Sequence, residues 1–529
     1  MSAIRNILFV TFDQWRWDCL SALGHPTLKT PTLDAFAADA TLFANHWSVA
    51  CPCGPARASL FTGTYPHRHR SVRNGAPLDS RFTNLALEAR GLGYDPVLFG
   101  YTDISPDPRG RNPRDPVFDS YEGVLPGMTR LCRLDEDFGT WFAALKAKGY
   151  AIPDEPWDIF RPEPAALADA QAAGRAYCAA PARYAAEDSN AAFLTDELLR
   201  YLEAKGDAPW FAHISYISPH PPFIAPAPYH DRYDPAECPP PVRAATPDAE
   251  AAAHPFLDHL IRRSESGTNA GFGAFVGRSV RPAEMTDAEL AQLRATYYGM
   301  INEVEDNFQR LLERLRALGV YDRTLIVLTS DHGEQLGDHW LLSKTGFFDE
   351  SYRVPLIVRD PRPDAEAGRG RRVAAVTESV DVAPTLLHLL GAPIPHQMQG
   401  VPLSAWIEGR TPARWREAAH VEFDFGHPIE PEAARALGLG PDRCGMAMLR
   451  DARTKYVHFQ GLPPLLYDLE ADPTQLRNVA DDPAYRDRLA EMRGRMLTWR
   501  METEERSLSR LHIDRGVQEG PDARFEGML

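Results

Sequence analysis

The chain has 529 residues, and because a single hydrophobic core rarely grows beyond about 250–300 residues, we expect roughly two to four domains. Its 44% hydrophobic and 25% charged residues are typical of a globular protein and exclude collagen, a coiled coil and general disorder. The formal net charge of −16 disfavours binding to nucleic acid or to anionic membranes, although a local cationic pocket can still hold an anionic substrate.

The N-terminal segment has the pattern of a buried strand rather than that of a secretion signal. Its apolar run, Ile7–Phe12, ends at Asp13 and has neither the length nor the cleavage site of a signal peptide. The sequence contains no uninterrupted apolar run of about 18 residues, which a transmembrane helix requires. We therefore expect an unprocessed cytoplasmic protein that does not enter a membrane.

Short apolar segments alternate with helical patterns through residues 1–400. The predicted strands are Ile7–Phe12, Pro96–Gly100, Trp210–Ile217, Thr324–Thr329 and Pro355–Val358. Each is apolar on both faces, which favours a large, mainly parallel α/β sheet sandwiched by helices. Thr30 followed by Pro31 predicts a helix start, and Thr286 with Glu289 predicts a capping box for a long helix that Gly319 ends.

Two segments lack a regular pattern, and the pattern changes again near residue 400. Pro219–Pro241 contains nine prolines, which predicts a stiff surface loop, and the Gly- and Ser-rich segment Ser264–Ala283 is predicted to be mobile. Beyond residue 400, four short strand patterns precede a helix pattern near Pro483–Trp499. We predict a catalytic α/β domain at 1–400, a smaller C-terminal α+β domain with an antiparallel sheet at 401–500, and a tail at 501–529.

Side chains that can bind a metal follow two of the predicted strands. Asp13 follows the first strand, and Asp331 and His332 follow the strand Thr324–Thr329. In open α/β sheets, ligands bind beyond the carboxyl ends of the strands, and carboxylate and imidazole groups suit a divalent cation. The same residues are also compatible with turns or helix caps, so the pattern alone leaves both interpretations open.

Cys53 precedes a helix pattern that begins with Gly54 and Pro55. Its sulfur is therefore predicted to lie at a positive helix N-terminus, where an anion is favoured and the pKa of a thiol can fall. From the residues alone, Cys53 is either a nucleophile or an inert buried thiol.

Three motifs identify a family resemblance. Cys53-Gly-Pro-Ala-Arg57, Asp331-His-Gly-Glu-Gln-Leu-Gly-Asp-His339 and Leu466-Tyr-Asp-Leu-Glu-Ala-Asp-Pro473 resemble the modification motif and two further hallmarks of the sulfatases, within the alkaline phosphatase superfamily. Within that family, the phosphonate monoester hydrolase and arylsulfatase branch is more similar, from about residue 5 to residue 505. This closer match rests on the segments Phe12–Arg16, Pro52–Ser59, Gly100–Thr102, Pro106–Arg109, Pro219–Phe223 and Tyr467–Leu469.

The resemblance implies a modified nucleophile beside one divalent cation. Cys53 would be oxidised to formylglycine by a formylglycine-generating enzyme; one hydroxyl of its hydrated form would attack the ester, and the other would then expel the product. The implied metal ligands are Asp13, modified Cys53, Asp331 and His332, with Gln14 nearby. Ordinary sulfatases carry Asp-Asp and Asp-Asn where this chain has Asp13-Gln14 and Asp331-His332. Because the imidazole of His332 replaces an oxygen ligand, the resemblance favours Mn²⁺, although Ca²⁺ stays possible.

The same resemblance assigns donors around the ester. Arg57 would lie beside the diol, Asn74 and Tyr101 would donate to the substrate, and His220 and Lys344 would stabilise or protonate the departing oxygen.

One position departs from the family pattern. Asp103 stands where ordinary sulfatases carry a histidine and where the more similar branch carries a threonine. It is either paired with Arg109 or a similar cation, or it acts as a base.

The predicted function is metal-dependent hydrolysis of phosphonate monoesters and phosphodiesters with promiscuous arylsulfatase activity. The alternative is a dedicated arylsulfatase. Either activity takes a small anionic ester as substrate. The resemblance also implies a homotetramer, and the tail at 501–529 is predicted to lie at one of its interfaces.

Overall fold

A large mixed sheet forms the centre of the protein. A computed structural model describes residues 4–263, 281–520, 522 and 524–529. Its central strands are β1 (Asn6–Phe12), β2 (Thr41–Trp47), β3 (Pro96–Gly100), β4 (Thr129–Arg133), β5 (Phe211–Tyr216), β6 (Thr324–Thr329), β7 (Arg353–Arg359), β8 (Arg372–Val373) and β9 (Thr377–Glu378). The strand order is β4-β3-β5-β1-β6-β7-β2-β8, and β9 also pairs with β2.

Most strands of this sheet run in one direction. β1 pairs in parallel with both β5 and β6, and β3 pairs in parallel with β4 and β5. The exception is β7, which is antiparallel to both of its neighbours, β6 and β2. The predicted mainly parallel sheet is therefore confirmed. The sequence prediction missed β2 and β4, because β2 contains polar residues and β4 is an edge strand with an exposed first half.

The sheet is buried on both faces, as its apolar strands predict. Leu8 and Val10 of β1 belong to one hydrophobic cluster, whereas Ile7 and Phe9 of the same strand belong to another on the opposite face. Successive side chains of a strand point to opposite faces, so a strand between two helical layers must be apolar throughout.

Helices cover both faces of the sheet. Across the whole described chain, including the part outside this sheet, the helices are α1 (Pro31–Ala38), α2 (Cys53–Thr62), α3 (Pro66–His69), α4 (Leu85–Gly91), α5 (Gly139–Ala147), α6 (Pro164–Ala172), α7 (Asn190–Lys205), α8 (Pro247–Ala251), α9 (Pro255–Arg262), α10 (Asp287–Ala317), α11 (Asp349–Tyr352), α12 (Val382–Leu389), α13 (Ser404–Ile407), α14 (Glu432–Ala436) and α15 (Arg486–Glu502). Among the described residues, no helix is long and apolar enough to cross a membrane.

The helix boundaries agree with most of the sequence signals. The capping box of Thr286 and Glu289 opens α10, and Gly319 follows its end with a φ of 64°. Thr30 does precede α1, with Pro31 in the first turn, but its side chain makes no capping hydrogen bond to the helix. Its hydroxyl bonds the side chains of Ser21 and Asp34 instead.

The proline-rich segment is irregular apart from two single 3₁₀ turns, Tyr229–Asp231 and Pro235–Glu237, as nine prolines in 23 residues predict. Most of the predicted mobile segment Ser264–Ala283 lies outside the described residues.

A second sheet lies near the C-terminus. Strands β10 (Ala419–Asp424), β11 (Gly445–Arg450), β12 (Thr454–Phe459) and β13 (Leu465–Asp468) pair antiparallel in chain order. One face of this sheet packs with Trp47, Phe256 and Phe347 from the preceding part of the chain, and the other packs with α15. The predicted antiparallel sheet is confirmed, while the boundaries at residues 400 and 500 stay predictions. Beyond α15, β14 (Leu511–Ile513) and β15 (Val517–Glu519) form a hairpin.

Candidate active site

The carboxyl ends of the two central strands bring the first pair of acidic residues together. β1 and β6 are adjacent and parallel, with Thr11 opposite Thr329, so Asp13 and Asp331 leave the sheet side by side. A hydrogen bond of 3.2 Å from the Gln14 backbone N–H to Asp331 Oδ1 joins the two loops. The topology of the sheet thus places two carboxylates that are distant in sequence at one point.

Cys53 and His332 complete a cluster around these carboxylates. Cys53 starts α2, and its sulfur lies 3.2 Å from His332 Nε2. One ligand atom from each of Asp13, Cys53, Asp331 and His332 lies within 4.8 Å of the other three, and all four side chains are buried. Two carboxylates and an imidazole at this spacing are a donor set that fits a divalent cation.

His332 is held in an orientation that suits a metal ligand. Its Nδ1 lies 3.2 Å from the carbonyl oxygen of Gly333, which accepts the proton at that nitrogen and leaves Nε2 directed at the cluster. Burial lowers the pKa of His332, so the ring is neutral and its second nitrogen has a free lone pair.

Arg57 neutralises the two carboxylates from within the protein. Its guanidinium is fully buried and donates to Asp13 Oδ2 and Asp331 Oδ2, both at 3.0 Å. A further N–H donates to Ser215 Oγ at 2.7 Å. Burial alone would raise the pKa of Asp13, but the nearby charges of Arg57 and Lys344 hold it well below its usual range, so this carboxylate stays ionised.

Lys344 and His220 approach Cys53 from a different side. The Lys344 ammonium donates to Gln14 Oε1 and to His220 Nε2, each at 2.8 Å, and lies 3.5 Å from the Cys53 sulfur. Burial, followed by the charge of Lys344, lowers the pKa of His220 to about 3, so this ring is neutral. Its Nε2 therefore accepts a hydrogen bond from the Lys344 ammonium. The loop residue and the lysine therefore form one proton-donating unit beside the cysteine.

The environment of Cys53 bears on whether the unmodified residue is a nucleophile or an inert buried thiol. Burial and the nearby charge of Asp13 raise the pKa of this thiol well above its ordinary value. A protonated thiol is a weak nucleophile, so the helix N-terminus does not produce a reactive thiolate here.

Asn74 and Tyr101, which the sequence analysis assigned to substrate binding, line a cavity of about 190 Å³ that has Cys53 in its wall. Asn74 Oδ1 accepts a 2.9 Å hydrogen bond from the Gly54 N–H, and the Tyr101 hydroxyl donates to Asp13. A larger cavity of about 730 Å³ lies beside the C-terminal sheet, and its described lining includes none of the predicted site residues. The chemistry therefore belongs to the smaller cavity.

Asp103 also lines this cavity, and it is not paired with Arg109. That arginine bonds Asp107 instead and lies 2.6 Å from Asp79. The Asp103 side chain is buried, and its Oδ1 has no hydrogen-bond partner among the described residues. Burial, opposed by Arg57 and reinforced by Asp13, raises the pKa of Asp103 to about 7.

Sequence reasoning missed three residues that hold this site in place. Ser215 accepts a hydrogen bond from Arg57, and its one signal is a polar residue within a buried strand. Glu334 binds the Gln14 amide and accepts from the backbone N–H groups of Leu336 and Ser343. Asp338 is the third, and it pairs with two buried arginines. Glu334 and Asp338 both lie in the motif Asp331–His339, but only the fold reveals their partners.

The chain matches known proteins along nearly its whole length. The sulfatase family model matches residues 5–392, and a model of the C-terminal part of N-sulphoglucosamine sulphohydrolase matches residues 337–502. The multifunctional alkaline phosphatase superfamily protein PehA of Trinickia caryophylli is 39% identical over 510 residues, which are 96% of this chain and 97% of that protein.

Two solved structures are similar in both sequence and fold. The phosphonate monoester hydrolase of Agrobacterium radiobacter is 42% identical with a TM-score of 0.92, covering 98% of this chain and 100% of that one. The phosphonate monoester hydrolase of Silicibacter pomeroyi is 40% identical with a TM-score of 0.89, covering 97% and 99%. The chain therefore belongs to the sulfatase family of the alkaline phosphatase superfamily, and it is an ester hydrolase.

Proposed function

We propose that this protein hydrolyses phosphonate monoesters and phosphodiesters, with additional activity on aryl sulfates. The observation that carries the proposal is the buried cluster of Asp13, Cys53, Asp331 and His332, contacted by Arg57, in a chain about 40% identical to two phosphonate monoester hydrolases. The names of these relatives favour this activity over a dedicated arylsulfatase.

Each side chain has a role that its contacts support. Arg57 and Lys344 place positive charge where the equatorial oxygens of a phosphoryl or sulfuryl group gain negative charge. Lys344 also shares its proton with His220, so it can supply a proton to the departing oxygen. Asn74 and Tyr101 lie in the cavity wall, where they can donate to the ester.

The nucleophile in this proposal is formylglycine made from Cys53 by a separate maturation enzyme. The raised pKa of the unmodified thiol supports this assignment, because the cysteine itself is a poor nucleophile at neutral pH. Asp103 is proposed to deprotonate the second hydroxyl of the formylglycine diol, since it lines the same cavity as residue 53 and its Oδ1 has no hydrogen-bond partner among the described residues.

A divalent cation is proposed at the cluster, held by Asp13, Asp331, His332 and the oxygen of modified residue 53. When bound, it supplies Lewis-acid stabilisation of negative charge on the ester. The neutral imidazole of His332 favours Mn²⁺ over Ca²⁺, because nitrogen is a better ligand for borderline cations.

The test is a parallel rate comparison on four aryl esters that share one leaving group: a phosphonate monoester, a phosphodiester, a phosphate monoester and a sulfate. We expect the highest kcat/KM on the phosphonate monoester and phosphodiester and measurable turnover of the sulfate. A kcat/KM that is highest on the sulfate would identify a dedicated arylsulfatase instead. The tetrameric state and the cytoplasmic location stay predictions from the sequence.

A further inference from the structure

The cavity that contains Cys53 has a second, acidic wall. Asp103, Glu122, Asp135 and Glu136 line it together with the aromatic side chains of Tyr121 and Trp157. The function proposed above uses one of these residues, Asp103, and gives no role to the others. Four acidic side chains besides Asp13 in the lining of one small cavity of an enzyme for anionic esters require an explanation, because in their ionised form they repel the negative charge of such a substrate.

One of the four carboxylates is neutralised by the protein itself. Asp135 forms ion pairs with Arg130, at 3.2 Å, and with Arg133. Glu122 accepts only a backbone hydrogen bond, 2.8 Å from the Glu136 N–H, and Glu136 accepts 2.7 Å from the Tyr121 hydroxyl.

The other three carboxylates lack a cation. Across residues 4–263 and 281–520, Asp103, Glu122 and Glu136 have no ion-pair partner, and Asp103 Oδ1 also lacks a hydrogen-bond donor. The Asp103 side chain lies in the cavity wall and its residue is only 5% exposed, whereas Glu122 and Glu136 are half-buried. Burial together with Asp103 raises the pKa of Glu122 to about 9, so this group is a neutral acid at neutral pH and becomes a carboxylate when a cation binds beside it.

The acidic wall suits an organic cation better than a metal ion. The one described group of three or more metal-binding side chains whose ligand atoms lie within 4.8 Å of one another is the Asp13 cluster. The acidic wall is therefore too spread out to form a compact coordination shell. An ammonium group carried on a short alkyl chain can instead reach several oxygens, and the faces of Tyr121 and Trp157 also attract cations.

The lining of one cavity then combines opposite charges. Lys344 lies 3.5 Å from the Cys53 sulfur, where the anionic ester centre reacts, and Glu122 and Glu136 line the same cavity without an ion-pair partner among the described residues. We propose that this acidic wall binds an ammonium group on the leaving alcohol, so that the preferred substrates are zwitterionic esters of amino alcohols. This inference rests on the proposed ester hydrolase function and specifies its substrate class.

The test compares two esters of phenylphosphonic acid that are matched in size and differ in the ammonium group: the 2-aminoethyl ester and its analogue with a neutral side chain, the n-propyl ester. The quantity measured is the ratio of their kcat/KM values in the native enzyme and in Glu122→Gln. Because the intrinsic reactivity of each ester is the same with the native enzyme and with the variant, only a lost contact with the ammonium group changes this ratio. We expect the ratio to fall at least about tenfold, as for a lost hydrogen bond to a charged group.

Asp119→Asn is the matched control, because Asp119 lies three residues earlier on the same loop, is exposed and does not line the cavity. It is expected to leave the ratio as in the native enzyme. If Glu122→Gln fails to fold, Glu136→Gln replaces it. A choline ester separates charge attraction from hydrogen bonding, because its trimethylammonium group keeps the charge but cannot donate hydrogen bonds. We expect its kcat/KM to lie between those of the aminoethyl and propyl esters.

A second measurement needs no variant. Both alkyl esters are used as competitive inhibitors of native-enzyme turnover of 4-nitrophenyl phenylphosphonate, and we expect the aminoethyl ester to bind at least about tenfold more tightly. Equal inhibition by the two esters, with normal turnover of the aryl ester, would overturn the ammonium site and leave the proposed function intact. No turnover of the aryl ester by correctly matured enzyme would contradict the proposed function itself.

Discussion

At the scale of single residues, Arg57 shows how the site accommodates two acidic side chains in a buried position. A buried carboxylate is strongly disfavoured unless it is paired, and removing one partner of a buried pair costs about 3–5 kcal/mol. Arg57 pairs with both Asp13 and Asp331 and stacks over the Tyr101 ring, with 4.4 Å from its guanidinium carbon to the ring centre. These ion pairs hold the two carboxylates side by side in the buried site.

The first prediction concerns Cys53. Burial raises the pKa of its thiol, so we expect activity to require conversion to formylglycine, which peptide mass spectrometry would detect as a loss of about 18 Da at this residue. Cys53→Ala is expected to abolish turnover. Cys238→Ala, at a half-buried cysteine outside the cavity, is the control and should retain both the modification and activity. Full turnover by an enzyme with unmodified Cys53 would refute the assignment.

The second prediction concerns the metal ligand His332. Chelation is expected to abolish activity, and Mn²⁺ is expected to restore it at lower concentration than Ca²⁺, because an imidazole nitrogen favours the borderline cation. In His332→Asn, which supplies an oxygen in place of the nitrogen, this difference should shrink or reverse. Metal content and activity after dialysis measure both effects; an unchanged Mn²⁺ preference in His332→Asn would exclude His332 as the selective ligand.

The third prediction concerns Asp103. With a pKa of about 7, this carboxyl is protonated at low pH and becomes a base as the pH rises through 7. Turnover limited by breakdown of the covalent intermediate should therefore increase over that range, and Asp103→Asn should lose the increase. The variant should also release a burst of leaving group and retain a phosphoryl or sulfuryl adduct on residue 53. Unchanged turnover without an adduct would leave Asp103 as part of the scaffold.

At the scale of structural elements, the loop between β6 and α11 places Lys344. Leu336, His339, Trp340 and Ser343 all have positive φ values between 51° and 70°, a conformation that residues with a side chain adopt at a cost. Asp338 lies in the middle of this loop, and its carboxylate binds Arg16 at 2.6 Å and Arg294 at 2.7 Å. These buried ion pairs hold the strained loop in the shape that brings Lys344 to Cys53.

The fourth prediction tests that anchor. Asp338→Asn leaves Arg16 and Arg294 buried with weaker partners, so the free energy of unfolding should fall by about 3 kcal/mol or more, and kcat should fall because Lys344 is displaced. Urea denaturation and steady-state rates measure the two effects. Asp322→Asn is the control, because Asp322 pairs with Arg359 but has a 93% exposed side chain. Equal stability losses in the two variants would argue against a special role for Asp338.

At the scale of the whole molecule, the tail beyond α15 exposes apolar side chains that a monomer leaves in water. Leu508, Ile513 and Val517 are 77%, 72% and 69% exposed, and the last two lie in the terminal hairpin. Exposed apolar residues that cluster in one element are typical of an interaction surface.

The fifth prediction is that light scattering reports a homotetramer at working concentration. The double substitution Ile513→Glu and Val517→Glu is expected to reduce the measured mass, because it places charges where apolar contacts form. The exposed residue Leu497, which lies on α15 rather than in the hairpin, provides the control substitution Leu497→Glu. A monomeric native protein would contradict the predicted assembly.

The sequence by itself determined the features that depend on local pattern. Ile7–Phe12 and Thr324–Thr329 carry apolar residues on both faces, which predicted strands between two covering layers, and Thr286 with Glu289 marked the start of α10. Cys53 was recognisable because its motif occupies five consecutive residues. These signals are short-range, and a sequence reports them directly.

Only the tertiary structure decided which distant groups meet. The antiparallel direction of β7 and the edge position of β4 depend on pairing between strands, which an apolar pattern does not record. Lys344 contacts His220 across 124 residues of sequence, and Glu122 lines the same cavity as Cys53. The partners of a buried charge set its pKa and its role, and those partners are chosen when the chain folds, so the acidic wall could not be predicted from the residues that compose it.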